Sequence, residues 1–279
     1  MGKKGKERKV TEYYHRGVVC TLIGFDLALP LDVEMVQPGE DEVGAAKRLL
    51  KRVFREYSRF FDAVVGDAAY LEGPFFRFCQ ERGKHVIAVL KNNNRALLAD
   101  AEGVFSAEEP RVTDDGRRTI EYWDAEGFTS SSGIDTPLRV LHTLETETKR
   151  ERIAGKWEKK TETHTWWWAT TIPKAVMPSR QIWQAAHKRW EIENQIFNTL
   201  VTHWSLNHCF RHEPTAIENF ILTIFIAFVL VQAFYRRNLK APLRARFTLI
   251  AIASQLYLGL AELKGWRAAW LDEACRAPP

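Results

Sequence analysis

Residues 179–204, SRQIWQAAHKRWEIENQIFNTLVTHW, read as a helix that carries an acid where it should be apolar. At about 100° per residue, Ile182, Ala186, Trp190, Ile196, Phe197, Leu200 and Trp204 all fall within about 60° of Glu193, and Glu191 points the opposite way. A carboxylate in an apolar stripe costs several kcal/mol unless it is paired or binds a metal. Two readings stay open: an ion pair with Arg189 one turn earlier, or a carboxylate serving a site. A second acid, Asp67, follows the apolar run FDAVVG, where the carboxyl end of an α/β strand opens onto a crevice. Its plainer reading is a cap or turn residue between Gly66 and Gly73. Acids on two such different elements suit a shared hard cation such as Mg²⁺, which takes carboxylate and water oxygens and leaves positions for phosphate.

Two other clusters hold chemistry-bearing types. His203, His208, Cys209 and His212 lie within ten residues, yet their spacing matches no usual zinc pattern, and polar contacts to DNA or to neighbouring helices are the expectation. Trp166, Trp167 and Trp168 are consecutive. In a strand the outer two share one face and pack, while a flat ring facing out can stack on an unpaired base.

The elements that must position these residues follow from periodicity. VVCTLIGF (18–25) and LALPLDVEMV (27–36) read as a hairpin around Gly24. Val43, Ala46, Leu50, Val53, Phe54 and Tyr57 recur at helical spacing. A buried strand at 63–65, a short helix opened by Pro74 and a second buried strand, HVIAVL (85–90), complete an α/β pattern on a mixed sheet. The strands from 13–36, 62–66 and 85–90 are expected in one sheet. From Asn92 to Pro173 the chain turns rich in Thr, Asp, Glu and Gly, with strand-like pieces at 118–123, 138–146 and 163–171, and reads as a β-rich insertion. After Pro178 it is helical, through 204, then 216–236, then about 247–263. The expected units are 10–91, 92–173 and 174–263.

Composition narrows the function classes. The 279 residues are 46% hydrophobic, enough for a core and too many for a disordered chain. The net charge is +5, and residues 1–9 alone supply five basic side chains against one acid. Nucleic-acid affinity must therefore come from local patches. Four cysteines at wide spacing form no disulfide framework, which fits a reducing cytoplasm. The apolar run 220–234 has 15 residues including Thr223 and Gln232; a membrane span needs about 20, so a buried core helix is expected and no membrane.

GDAAY (66–70), KNN (91–93) and RWEIEN (189–194), in this order, resemble the DDE transposases of bacterial insertion sequences, most nearly insertion-sequence group four with its transposase DDE domain. The resemblance runs from YYHR (13–16) to about Tyr235. It implies a ribonuclease-H-like fold interrupted by a β-rich insertion, and DNA transposition by metal-dependent phosphoryl transfer with two Mg²⁺ (or Mn²⁺) ions. By the match Asp67 is the second acid and Glu193 the third, both metal ligands. Arg189, Lys91, Trp167 (as a holder of a flipped base), Arg236 and Arg237 are the expected DNA contacts, with residues 3–9 adding phosphate contacts. The partner implied is double-stranded DNA at terminal inverted repeats, bound by a homodimer near the nucleoid.

The sequence departs from the group at Ala186, where the helix motif has tyrosine, and at Leu200, where it has lysine. The family's first acid lies on a strand before the hairpin. Asp26 and Asp32 lie in the hairpin itself, so the chain reads as lacking the N-terminal part and as weakly active or inactive. The alternative is a non-catalytic DNA-binding remnant or an inhibitor of full-length transposase.

Overall fold

The computed structural model describes residues 15–24, 27–153, 156–190, 192–208 and 210–262. The basic stretch 3–9, Asp26, Glu191, Cys209 and Cys275 lie outside the described residues.

Strands β1 (Gly17–Leu22) and β2 (Leu29–Met35) form the expected antiparallel hairpin, irregular between Cys20 and Thr21. Helix α1 (Glu42–Tyr57) starts at Asp41, whose Oδ1 accepts the Gly44 amide at 2.7 Å. This satisfies one of the four amides left over at a helix start. Its apolar stripe, centred on Leu49 and Val53, is buried. Its polar side reaches β2: Arg48 binds Glu34 at 3.0 Å and Arg52 binds Asp32 at 2.7 Å. Asp32 is thereby fixed by α1.

Strands β3 (Ala63–Gly66) and β4 (His85–Val89) pair in parallel, joined by α2 (Gly73–Gln80). A parallel pair requires such a crossover. Phe75 and Phe76 of α2 are fully buried and, with Leu97 of α3 (Arg95–Phe105), make the centre of the largest core. The strands β5 (Arg111–Asp114), β6 (Arg118–Phe128), β7 (Leu138–Ile153) and β8 (Lys156–Thr170) follow. Because β8 pairs with β4, through Ile87↔Thr170 to Val89↔Trp168, these strands extend the same sheet, in the order β3-β4-β8-β7-β6-β5. Residue 92 is thus no break in the sheet.

Beyond it the chain is helical: α4 (Ser179–Lys188), a π-helical stretch (Ile192–Phe197), α5 (Asn198–Trp204), α6 (Pro214–Ala233), a second π-helical stretch (Phe234–Asn238), α7 (Ala241–Arg246) and α8 (Leu249–Glu262). Ile182 and Ala186 of α4 pack on Ile87, Leu141, Trp168 and Ile172. Ile196, Leu200, Phe225 and Phe228 pack instead on Val33 of the hairpin.

Three expectations are corrected. The hairpin is not in one sheet with residues 62–66; it forms a two-stranded sheet of its own. The physical reason is that, among the described residues, β1 and β3 each have a bonded neighbour on one side only, and a cleft lined by both separates them. The helix 179–204 is not α-helical throughout: Arg189 keeps αR dihedrals after α4, and Ile192–Phe197 is π-helical before α5. The apolar run 220–234 is part of a longer helical span, Pro214–Asn238, long and apolar enough by length and composition to cross a membrane. It is only partly buried: Phe225 and Phe228 face the hairpin core while Ile226 and Leu230 are exposed. Gln232 bonds both backbone groups of Ala28, at 3.1 and 2.9 Å, and pins it beside β2.

Candidate active site

Asp67 follows β3 and caps one turn of 3-10 helix, Ala68–Tyr70, its Oδ1 accepting the Ala69 amide at 2.8 Å. The cap and the site readings coexist, since the cap uses one oxygen. Asn93, from the segment after β4, donates its side-chain amide to the Ala68 carbonyl at 2.6 Å and holds this turn against the neighbouring strand end.

Glu193 lies in the first π-helix and its side chain is 54% exposed, not buried in an apolar stripe. Its π turns, bonded i→i+5, change the face each residue presents relative to an α-helix. Glu193 is exposed there, while Ile196 and Leu200 stay buried. Short π segments recur at functional sites because they redirect a side chain without ending the helix.

Arg189 pairs with Glu193. Its Nη1 donates to Glu193 Oε1 at 2.9 Å, so the ion pair foreseen in sequence forms. The guanidinium is only 18% exposed, its carbon lies 5.7 Å from the Trp190 ring centroid, and its buried Nε has no hydrogen-bond partner among the described residues. A buried donor left unpaired costs about 1–3 kcal/mol, and a guanidinium is built to meet carboxylate or phosphate oxygens.

Asp67, Arg189 and Glu193 line one cleft of about 880 Å³. Every residue of β1 and of β3 lines it too, with Leu49 of α1, Phe75 of α2, Ala185 of α4, Ile192 and Phe197. Glu42 and Asp62 are further carboxylates on its wall. Glu42 is engaged by the Tyr70 hydroxyl at 2.7 Å, and burial followed by Glu42 pushes the Tyr70 phenol up. Burial, then Asp32, pushes the Cys20 thiol up to about 12, so it is no nucleophile.

The oxygen donors suit a hard divalent cation. Asp67 and Glu193 each have a carboxylate oxygen that the cap and the ion pair do not use. Among the described residues, however, no group of three His, Cys, Asp or Glu side chains is close enough to hold a metal. The same holds for the histidine cluster: His212 meets His15 at 3.3 Å and His208 packs on Phe210, and zinc gains no support.

The other expected contacts lie elsewhere. Lys91 is exposed just past β4, and Arg236 and Arg237 are exposed on the second π-helix, none of them lining the cleft. Trp166 and Trp168 share one face of β8, ring centroids 6.1 Å apart, as alternation requires. Trp167 points to the other face, stacked between His142 at 3.8 Å and Phe105 at 5.9 Å. Both its faces are taken, so a base would have to displace a neighbouring ring.

Sequence reading missed the carboxylate that steadies α4. Glu145 of β7, 1% exposed, accepts from Trp183 Nε1 and meets His187 Nε2, both at 2.7 Å, and accepts from Arg118 at 2.6 Å. Burial would push this carboxyl up; the His187, Trp183 and Arg118 partners outweigh it and hold it at about 2. No signal marks this one acid among ETETKRE.

Residues 2–230 match the family model described as transposase DDE domain. The chain belongs to the DDE transposase domain family. That is a family of transposase- and nuclease-type enzymes, and the mixed α/β architecture of this DDE domain, a six-stranded mixed sheet with helices, is compatible with a ribonuclease-H-like fold. No curated protein matches the chain. In this DDE domain, Asp67 from the turn after β3 and Glu193 from the first π-helix line one cleft together with Glu42 and Asp62.

Proposed function

We propose that the chain is the catalytic core of a DNA transposase of insertion-sequence group four, moving a bacterial element by cut-and-paste phosphoryl transfer at its terminal inverted repeats. The observation that supports this is that Asp67, Glu193 and the part-satisfied guanidinium of Arg189 line the same cleft. Asp67 and Glu193 would hold Mg²⁺ or Mn²⁺ through their free oxygens. Such ions, when bound in pairs, activate an attacking oxygen and stabilise the leaving one. Arg189 does two things in this reading: Nη1 orients Glu193, and Nε awaits a phosphate oxygen. Lys91, Arg236 and Arg237 are exposed cations available to more distant phosphates. A homodimer on double-stranded DNA, in the bacterial cytoplasm at the nucleoid, completes the proposal.

Two carboxylates are too few to fix both ions. The third acid, in this reading, arrives on a strand that enters the cleft between β1 and β3. Among the described residues both bordering strands have an open edge there, and their sequences, GVVCTL and AVVG, carry none of the charges or prolines that usually blunt an edge. Asp32 does not serve, since Arg52 and the Val33 amide hold it.

The test is strand cleavage of the element's terminal repeats with Mn²⁺. The 279-residue chain is expected to cut little. The same chain preceded by a strand that ends in aspartate is expected to cut at least a hundredfold faster, and to lose that gain on Glu193→Ala. Robust cutting by the chain alone would contradict the third-acid reading; cutting indifferent to Asp67→Ala and Glu193→Ala would contradict the whole.

A further inference from the structure

Helix α4 meets the sheet in two ways. Ile182 and Ala186 pack on Ile87, Leu141, Trp168 and Ile172, apolar contacts with no preferred direction. Trp183 and His187, one turn apart, both reach Glu145 on β7, their Nε1 and Nε2 each 2.7 Å from the same Oε1. An ionised carboxylate only accepts, so the His187 hydrogen sits on Nε2. The Thr143 hydroxyl donates to that oxygen at 3.2 Å and Arg118 to the other at 2.6 Å. The rings of Trp166, Trp168 and Trp183 stand steeply tilted around His187, with centroids 5.5, 5.2 and 5.1 Å away.

Stability alone does not call for an ion in this place, since apolar side chains of similar volume often serve a buried site as well or better. Directional bonds add what apolar packing lacks, a fixed rotation and a fixed position along the helix axis. A hydrogen bond is lost by about 3.6 Å, so these two hold α4 to within roughly 1 Å. The far side of the helix inherits that rotation. Ala185 and Arg189 follow Trp183 and His187 by two residues, about 200° around the axis, and both line the cleft. Arg189 keeps αR dihedrals at the end of α4, so the helix sets the direction in which its side chain leaves. Its own bonds fix the guanidinium only in part: Nη1 donates to the exposed Glu193, and the buried Nε has no hydrogen-bond partner among the described residues.

We propose that His187, held by Glu145, is a positioning residue for the cleft: its bond fixes α4 in rotation and so aims the Arg189 guanidinium at an incoming phosphate. That the incoming group is a phosphate rests on the transposase reading; the aim itself does not.

The experiment is modification of the full chain by phenylglyoxal, a guanidinium reagent, with the rate at each arginine read by peptide mass spectrometry. Exposed Arg55 is the fast reference and buried Arg139 the slow one. In His187→Leu the Arg189 rate relative to Arg55 should rise about fivefold, the factor that one net hydrogen bond commands. In His187→Gln, whose side-chain amide can still donate to Glu145, it should stay within about twofold of the unaltered chain. Arg139 should remain slow in both. Where the leucine variant does not fold, Trp183→Phe removes the other donor to the same oxygen and should speed Arg189 in the same way. Excess pyrophosphate should protect Arg189 in the unaltered chain and in His187→Gln, and protect it poorly in His187→Leu. An unchanged Arg189 rate in the folded leucine or phenylalanine variant, an equal rise in His187→Gln, or a rise shared by Arg139 would each overturn the positioning role. No protection by pyrophosphate in the unaltered chain would overturn the phosphate reading of Arg189 alone, since the rates are measured without it.

Discussion

His142, on β7, shows how the six-stranded sheet sets the chemistry of single residues. It lies between Trp123, centroid at 4.8 Å, and Trp167, at 3.8 Å. Two indole faces favour an imidazolium, but loss of solvent dominates and holds this histidine at about 4, well below 6.5. The unfolded chain then binds more protons than the folded one between these values, so stability is full above about pH 6.5 and falls as pH drops toward 4. Glu145, held at about 2, gives the same sign in a lower window, from about 4.5 down through 2. Melting temperature against pH should therefore decline in two stages, and His142→Phe should remove the upper stage only. An unchanged upper stage in that variant would contradict this assignment. At this scale the sequence was informative for Asp67, which stands after an apolar run and does cap a turn there. It was misleading for Glu193, whose exposure depends on a helical pitch that no residue type announces.

Helices and strands were legible where their periodicity was strong: the hairpin, α1, the β3–β4 pair and the long helix α6 all form. The π-helical stretch Ile192–Phe197 was not, because residues 179–204 contain neither proline nor glycine to mark it. Ile182 and Ala186 meet the sheet, while Ile196 and Leu200 meet the hairpin and α6. The outer halves of β7 and β8 were also missed, since KRERI and KWEKK read as solvated charge until the register is known. Glu145 ties these elements, joining β6 through Arg118 to α4 through Trp183 and His187. Removing one partner of a buried, hydrogen-bonded charge cluster leaves the others unpaired. Glu145→Leu should thus cost about 3 kcal/mol in urea unfolding, and Glu145→Gln distinctly less. A loss under about 1 kcal/mol for the leucine variant would show that the cluster does not hold α4.

For the molecule as a whole, the layers were readable and their junction was not. An α/β half, a β-rich stretch and a helical end appear in order, but the sequence did not reveal that β8 returns to pair with β4, which makes the stretch part of the main sheet. Nor did it reveal that the hairpin stands apart across a cleft. That cleft is lined by both the turn after β3 and the π-helix, and the account depends on a cation shared there by Asp67 and Glu193. The most direct measurement replaces Mg²⁺ by Fe²⁺ with ascorbate and peroxide, so that radicals formed at the bound ion cut the nearby backbone. Fragments mapped by mass spectrometry should end beside Asp67 and beside Glu193, and both cuts should vanish together in Asp67→Ala and under excess Mg²⁺. Cutting beside only one of the two acids, or at neither, would contradict a shared metal site.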